Sequence, residues 1–203
     1  MSEGSLPPGA GVPLLPFREA EVITYVFEGA LARGGATDGS SVTYAGEFQR
    51  RTAVRGIRHR EANASRSDWA RIFQISLSSP PGGLRLGLET KRFSIAQRRG
   101  VLCVVASPNG REGSLHLQSS AHVYSAILDS GRHLAYELAP RSSVWLHIVT
   151  GEVQMGDVVL TTGDGAGITA EHAVSLIARD DSEILLVGLA GPRPSSSSTG
   201  FAP

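Results

Sequence analysis

VTYAGEFQRRTAVRGIRHRE, residues Val42–Glu61, decides how the chain is read. A short β-rich run meets a glycine followed by an acid, Gly46 and Glu47, and a second run then leads into GIRHRE. Glycine takes the positive φ that a tight reversal needs, so the stretch reads as strands joined by a turn. Alternate residues of an extended chain leave the same face, which puts Arg55, Ile57, His59 and Glu61 on one side. An imidazole and a carboxylate two residues apart are half of a metal site.

The same texture continues on both sides. Runs such as EVITYVFEG, ARIFQISLSS, VLCVVAS, HVYSAIL, SVWLHIV and EILLVGLA are rich in β-branched and aromatic residues. RGGATDGSS, SSPPGG, SPNGREGS and TTGDGAG separate them. Short strands at regular spacing with no convincing helix predict an all-β sandwich or barrel. Glu21–His59 and Ser143–Leu176 share one plan of strand, glycine turn, strand, Gly-acid pair and further strand, with Gly163 and Asp164 repeating Gly46 and Glu47. Two tandem barrels are expected, over residues 1–90 and 91–190. The Ser- and Pro-rich segment 191–203 reads as a disordered tail.

Composition narrows the function. Formal net charge is zero over 203 residues, so the broad basic surface that nucleic acid requires is not expected. Cys103 is the only cysteine and sits in an apolar run, which excludes an intrachain disulfide and a cysteine-based zinc cluster. The first residues lack a secretion signal and no run reaches the roughly 18 apolar residues of a membrane span, so the chain is read as cytoplasmic, without a membrane partner. His116, His122, His133, His147 and His172 form no i, i+2 pair and read as surface or satisfied core residues. Trp69 and Trp145 read as packing anchors.

Specific stretches carry a resemblance. LPFREAEVITYVFEGAL (Leu15–Leu31), AGEFQRRTAVRGIRHRE (Ala45–Glu61), FQISL (Phe73–Leu77), KRF (Lys91–Phe93) and SPNGREGSLHLQ (Ser107–Gln118) resemble the pirin family, and in particular its bacterial quercetinase-like members. That resemblance covers nearly the whole chain. It implies a bicupin, two tandem double-stranded β-helix barrels, with a metal in the first and none in the second. In that family three His and one Glu hold the metal, as His-Pro-His on an early strand and His-x-Glu on a later one. The later pair maps onto His59 and Glu61, and the earlier onto Leu15 and Phe17, which bracket Pro16.

Leucine and phenylalanine offer no lone pair, and two ligands do not make a catalytic divalent site. Glu21, at the glutamate position of the general cupin pattern, is a conceivable third ligand. Arg55, on the expected inward face, would pair with Glu61 in place of a cation.

The first barrel also begins closer to the chain start than the family usually does. One edge would then be open, to be covered by the second barrel or by a second copy in a homodimer.

The expected reading is a metal-independent small-molecule-binding protein or enzyme of the isomerisation, cyclisation or dehydration type. Catalysis would fall to His59, Glu61 and Arg55, in a pocket walled by Leu15, Phe17, Ile57 and Glu21, with an aromatic or polyketide-like ligand. Two alternatives stand beside it. One is a quercetin 2,3-dioxygenase-like enzyme with Fe, Cu, Ni, Mn or Zn on His59 and Glu61; the other is a non-catalytic regulator.

Overall fold

The computed structural model describes residues 1–12, 19–34, 41–53, 60–78 and 83–190. In its first half run β1 (Ser2–Leu6), β2 (Ala20–Glu28), β3 (Ala30–Gly34), β4 (Ser41–Tyr44), β5 (Glu47–Ala53), β6 (Arg60–Asn63), β7 (Ala70–Ser78) and β8 (Leu88–Arg92). A single helical turn, α1 (Ile95–Arg98), leads onward; Ser94 and Gln97 cap it reciprocally, each side chain bonding the other's backbone. The second half holds β9 (Cys103–Ser107), β10 (Leu115–His116), β11 (His122–Leu128), β12 (His133–Glu137), β13 (Ser143–Thr150), β14 (Glu152–Met155), β15 (Val158–Thr161), β16 (Gly165–Thr169), β17 (Ala173–Ala178) and β18 (Ser182–Leu189).

Four sheets result, ordered β1-β7-β2-β5-β8, β4-β3-β6, β10-β9-β11-β18-β13-β16 and β12-β17-β14-β15. The internal repeat is complete at the level of pairing. The sequence β7-β2-β5 in one half is β18-β13-β16 in the other, and β4-β3-β6 is matched by β15-β14-β17.

Detail repeats too. A bulge precedes Gly29 and another precedes Gly151, both glycines at positive φ. At Gly29 an added Cβ would lie 2.6 Å from the Trp69 carbonyl oxygen, and at Gly151 2.4 Å from that of Asp181. The Gly46 and Gly163 turns share another device. Glu47 accepts the Tyr44 N–H at 2.8 Å and Asp164 the Thr161 N–H at 2.7 Å, each carboxylate reaching back three residues.

Strand alternation then sorts the core. On β2, Ile23 and Tyr25 face the second barrel, where with Phe48, Phe73 and Ile75 they pack against Val105, Leu115, Val123 and Leu185. Val26 and Ile72 face the first barrel's own interior with Leu31 and Leu6. The second barrel has a larger apolar core of its own, including Leu128, Leu146, Ile148, Leu176 and Leu186.

Several elements differ from the sequence reading. β1, β3, β8 and β16 were not expected, because SEGSL, ALARG, LETKR and GAGIT carry weak β signals, and β6 runs on past the expected strand end at Glu61 to Asn63. Cross-strand partners make them strands, β1 through its pairing with β7. That pairing makes β1 an edge strand of the first barrel's larger sheet. The expected boundary at residue 90 falls inside β8, which belongs to the first barrel's sheet. Trp69 stands 61% exposed, whereas Trp145, 40% exposed, packs its ring over Gly165 and Gly167. The tail 191–203 lies outside the described residues.

Candidate functional site

The interior of the first barrel is polar. Thr24, Gln49, Arg51 and Gln74 point inward from the larger sheet, while Arg33, Thr43, Glu61 and Asn63 of the smaller one are equally buried. Glu61 is at its centre and only 5% exposed. Its Oε1 lies 3.0 Å from Arg51 Nε, and its Oε2 accepts the Gln74 side-chain amide at 3.1 Å. That same amide nitrogen donates to Thr24 Oγ1 at 3.1 Å, and Gln49 donates to Thr43 Oγ1 at 2.7 Å. Gln74, itself held by Thr24, is the neutral group that bonds the ion pair at Glu61, while the Gln49–Thr43 bond ties the two sheets together beside it.

The second barrel serves as an internal control. Superposing the repeats by Gly29 on Gly151 and Gly46 on Gly163 sets Thr24 with Leu146, Gln49 with Ala166, Arg51 with Ile168 and Gln74 with Leu186. Continuing the register of β14 on β17 sets Glu61 with Leu176. In the second barrel these positions build the hydrocarbon core. One architecture thus tolerates either filling. Burying an ion pair gives no stability advantage over packed hydrocarbon, so the fold does not require the polar set.

A cavity of about 390 Å³ adjoins this network, lined by Ser2, Gly4, Leu6, Val12, Ile72 and Gln74. Its size suits a small organic ligand. Gln74 belongs to both, so its amide joins the Glu61 carboxylate to the cavity wall.

The expected site residues fare unequally. Glu61 is buried within the first barrel. Leu15, Phe17, Arg55, Ile57 and His59 lie outside the described residues. The pairing expected of Arg55 with Glu61 lies outside the described residues; the arginine found against Glu61 is Arg51. Arg51 was not among the expected site residues; its register opposite the buried Val22 on β2 turns it inward.

Glu21 is not a pocket residue, which corrects the expectation. It lies on the opposite face of β2 from Thr24, fully buried, and its two oxygens accept the backbone N–H groups of Gln118 at 2.8 Å and Ser119 at 2.7 Å. Strand parity directs it at the second barrel. The described residues do not fit a metal. They hold no group of three or more His, Cys, Asp or Glu that could bind one, and a guanidinium stands at Glu61 Oε1.

This combination, two β-barrels built on one repeated plan with a single polar interior, defines a bicupin. Family models agree: residues 1–77 match the pirin model and residues 104–189 the quercetinase C-terminal cupin domain. The chain belongs to the pirin family.

Among its relatives, a quercetin 2,3-dioxygenase of Escherichia coli K12 is 33% identical over 181 residues, 89% of this chain and 77% of that protein. A pirin-like protein of Caulobacter vibrioides is 32% identical, over 93% of this chain and 82% of its own. Among solved structures, the bacterial pirin YhhW of Escherichia coli in complex with nickel(II) superposes with a TM-score of 0.85. It is 31% identical and covers 94% of this chain and 81% of its own.

Proposed function

We propose that this pirin-family protein binds a small, largely apolar molecule in its first barrel and works there without a resident metal. The chemistry is of the acid–base kind, such as isomerisation, cyclisation or dehydration. One observation carries the reading: both oxygens of the buried Glu61 are already engaged, Oε1 by Arg51 and Oε2 by Gln74. A cation bound at that carboxylate would meet a fixed positive charge about 3 Å away in a medium that screens poorly.

The same arrangement suits proton transfer. Gln74, on the cavity wall, donates to Glu61 Oε2 and so links a proton-carrying carboxyl group to the edge of the cavity. On the sequence reading His59 returns the proton. An aromatic or polyketide-like ligand matches a cavity whose walls include Leu6, Val12 and Ile72. One cysteine with no partner fits a reducing compartment, in keeping with a cytoplasmic protein.

A metal-dependent, quercetinase-like dioxygenase is the second reading. What supports it is the name of the Escherichia coli relative and the nickel(II) complex of YhhW. The two readings part in one experiment, metal analysis of protein purified without chelator, paired with ligand-induced thermal shifts across aromatic and polyketide compounds. The metal-free reading expects far less than one equivalent of Fe, Cu, Ni, Mn or Zn, and shifts that survive chelation but vanish in Glu61→Ala. Near-stoichiometric metal that is lost in Glu61→Ala overturns it.

A further inference from the structure

Between the barrels lies a second cavity, of about 620 Å³, bordered by Tyr25, Phe27, Phe93, Arg92, Arg98 and Glu183. Three parts of the chain meet at its floor: β2 of the first barrel, the α1 turn, and β11 with β18 of the second. Arg98 and Glu183 are more than nine-tenths buried. Arg98 Nη1 donates to Glu183 Oε1 at 2.6 Å, to Tyr25 Oη at 3.1 Å and to Ser125 Oγ at 3.2 Å. Tyr25 also donates its hydroxyl proton to Glu183 Oε1, at 2.6 Å. Burial and then the neighbouring Glu183 push the Tyr25 phenol far above its ordinary pKa, so it remains a donor.

Each ion bonds through one terminal atom. Both bonds to Glu183 fall on Oε1, and all three from Arg98 leave Nη1. Among the described residues no hydrogen bond falls on Glu183 Oε2 or Arg98 Nη2, and Arg98 Nε is buried without a partner. A buried charge costs free energy in proportion to its unmet bonding capacity. An aromatic wall with one acceptor and one donor beside it matches a group that both donates and accepts. A hydroxyl does so; a carboxylate would face Glu183, and an ammonium would face Arg98.

We propose that the inter-barrel cavity is a binding site for a neutral hydroxylated aromatic, a phenol or aryl alcohol, whose hydroxyl donates to Glu183 Oε2 and accepts from Arg98 Nη2 while its ring lies among Tyr25, Phe27 and Phe93. This site is separate from the first-barrel interior, and its existence does not depend on the chemistry proposed there. Because strands of both barrels supply its floor, an occupant bridges them.

The test titrates the full chain with p-cresol, followed by backbone amide chemical shifts, with toluene, benzoate and benzylammonium as comparators. Saturable shifts at Ala45, Gly46 and Ser94–Arg98 are expected for p-cresol, with affinity roughly tenfold or more above each comparator. Ala96→Trp, at an exposed residue of the cavity rim, should weaken p-cresol at least about tenfold by filling the space, with an unchanged melting temperature. Glu183→Gln should erase the preference over toluene. Equal binding of toluene, p-cresol binding undiminished in Ala96→Trp, shifts confined to the first barrel, or no saturable shift overturns the proposal.

Discussion

Arg51 and Glu61 are 3.0 Å apart with side chains 9% and 3% exposed, so removing either leaves the other charged and stranded. Arg51→Met should cost about 3–5 kcal/mol in urea denaturation, the usual penalty for breaking one half of a buried pair. The repeat supplies the remedy. Arg51→Ile with Glu61→Leu copies Ile168 and Leu176 of the second barrel, and should recover most of that loss while abolishing ligand-induced thermal shifts at the first barrel. Recovery of stability with shifts intact would place binding elsewhere. Glu61 itself was legible in the sequence from its spacing to His59. Arg51 was not, because consecutive arginines at 50 and 51 give no sign of which turns inward until the register with β2 is fixed.

Glycines set the hairpins of both repeats, and not all of them do so for the same reason. Gly151 and Gly163 both take φ near +90°, yet a Cβ at Gly151 meets backbone and at Gly163 meets nothing within 4 Å. Gly163→Ala should therefore cost about 1 kcal/mol for its conformation alone, and Gly151→Ala clearly more, in urea denaturation of each variant. Equal losses would show that packing around Gly151 yields freely. The Gly-acid turns at Gly46 and Gly163 were legible because glycine and a reaching carboxylate act locally. β1, β8 and β16 were not, because their residues become strands only when a partner strand offers hydrogen bonds.

Across the molecule, Glu21 and His147 tie the barrels together from opposite sides of the interface. Glu21→Ala leaves two buried N–H groups, of Gln118 and Ser119, without their acceptor; hydrogen exchange at those amides should quicken and stability fall by about 2–4 kcal/mol. Unchanged exchange there would show that another group takes over.

His147 packs its ring 5.4 Å from Phe73, and burial holds its pKa below the ordinary imidazole value, with Glu3 opposing the shift. The unfolded chain binds a proton near pH 6.5 that the folded one accepts only at lower pH, so stability declines as pH falls through 6.5 and levels off below the folded pKa. Burial, and then Arg111, shift His122 the same way. His147→Phe should flatten part of the decline between pH 7 and 5 in unfolding free energies measured stepwise. A slope identical to the parent would exclude His147 as its source.

The sequence by itself determined the strand-rich class, the repeat with its glycine turns, the family and the acid at Glu61. All of these rest on short-range signals: two-residue alternation, a glycine's φ, or motif spacing. Only the tertiary structure decided what surrounds that acid and where Glu21 points. Both depend on which strands are neighbours and in what register, and register is set by long-range pairing. One residue of parity separates a side chain in the first barrel's interior from one against the second barrel.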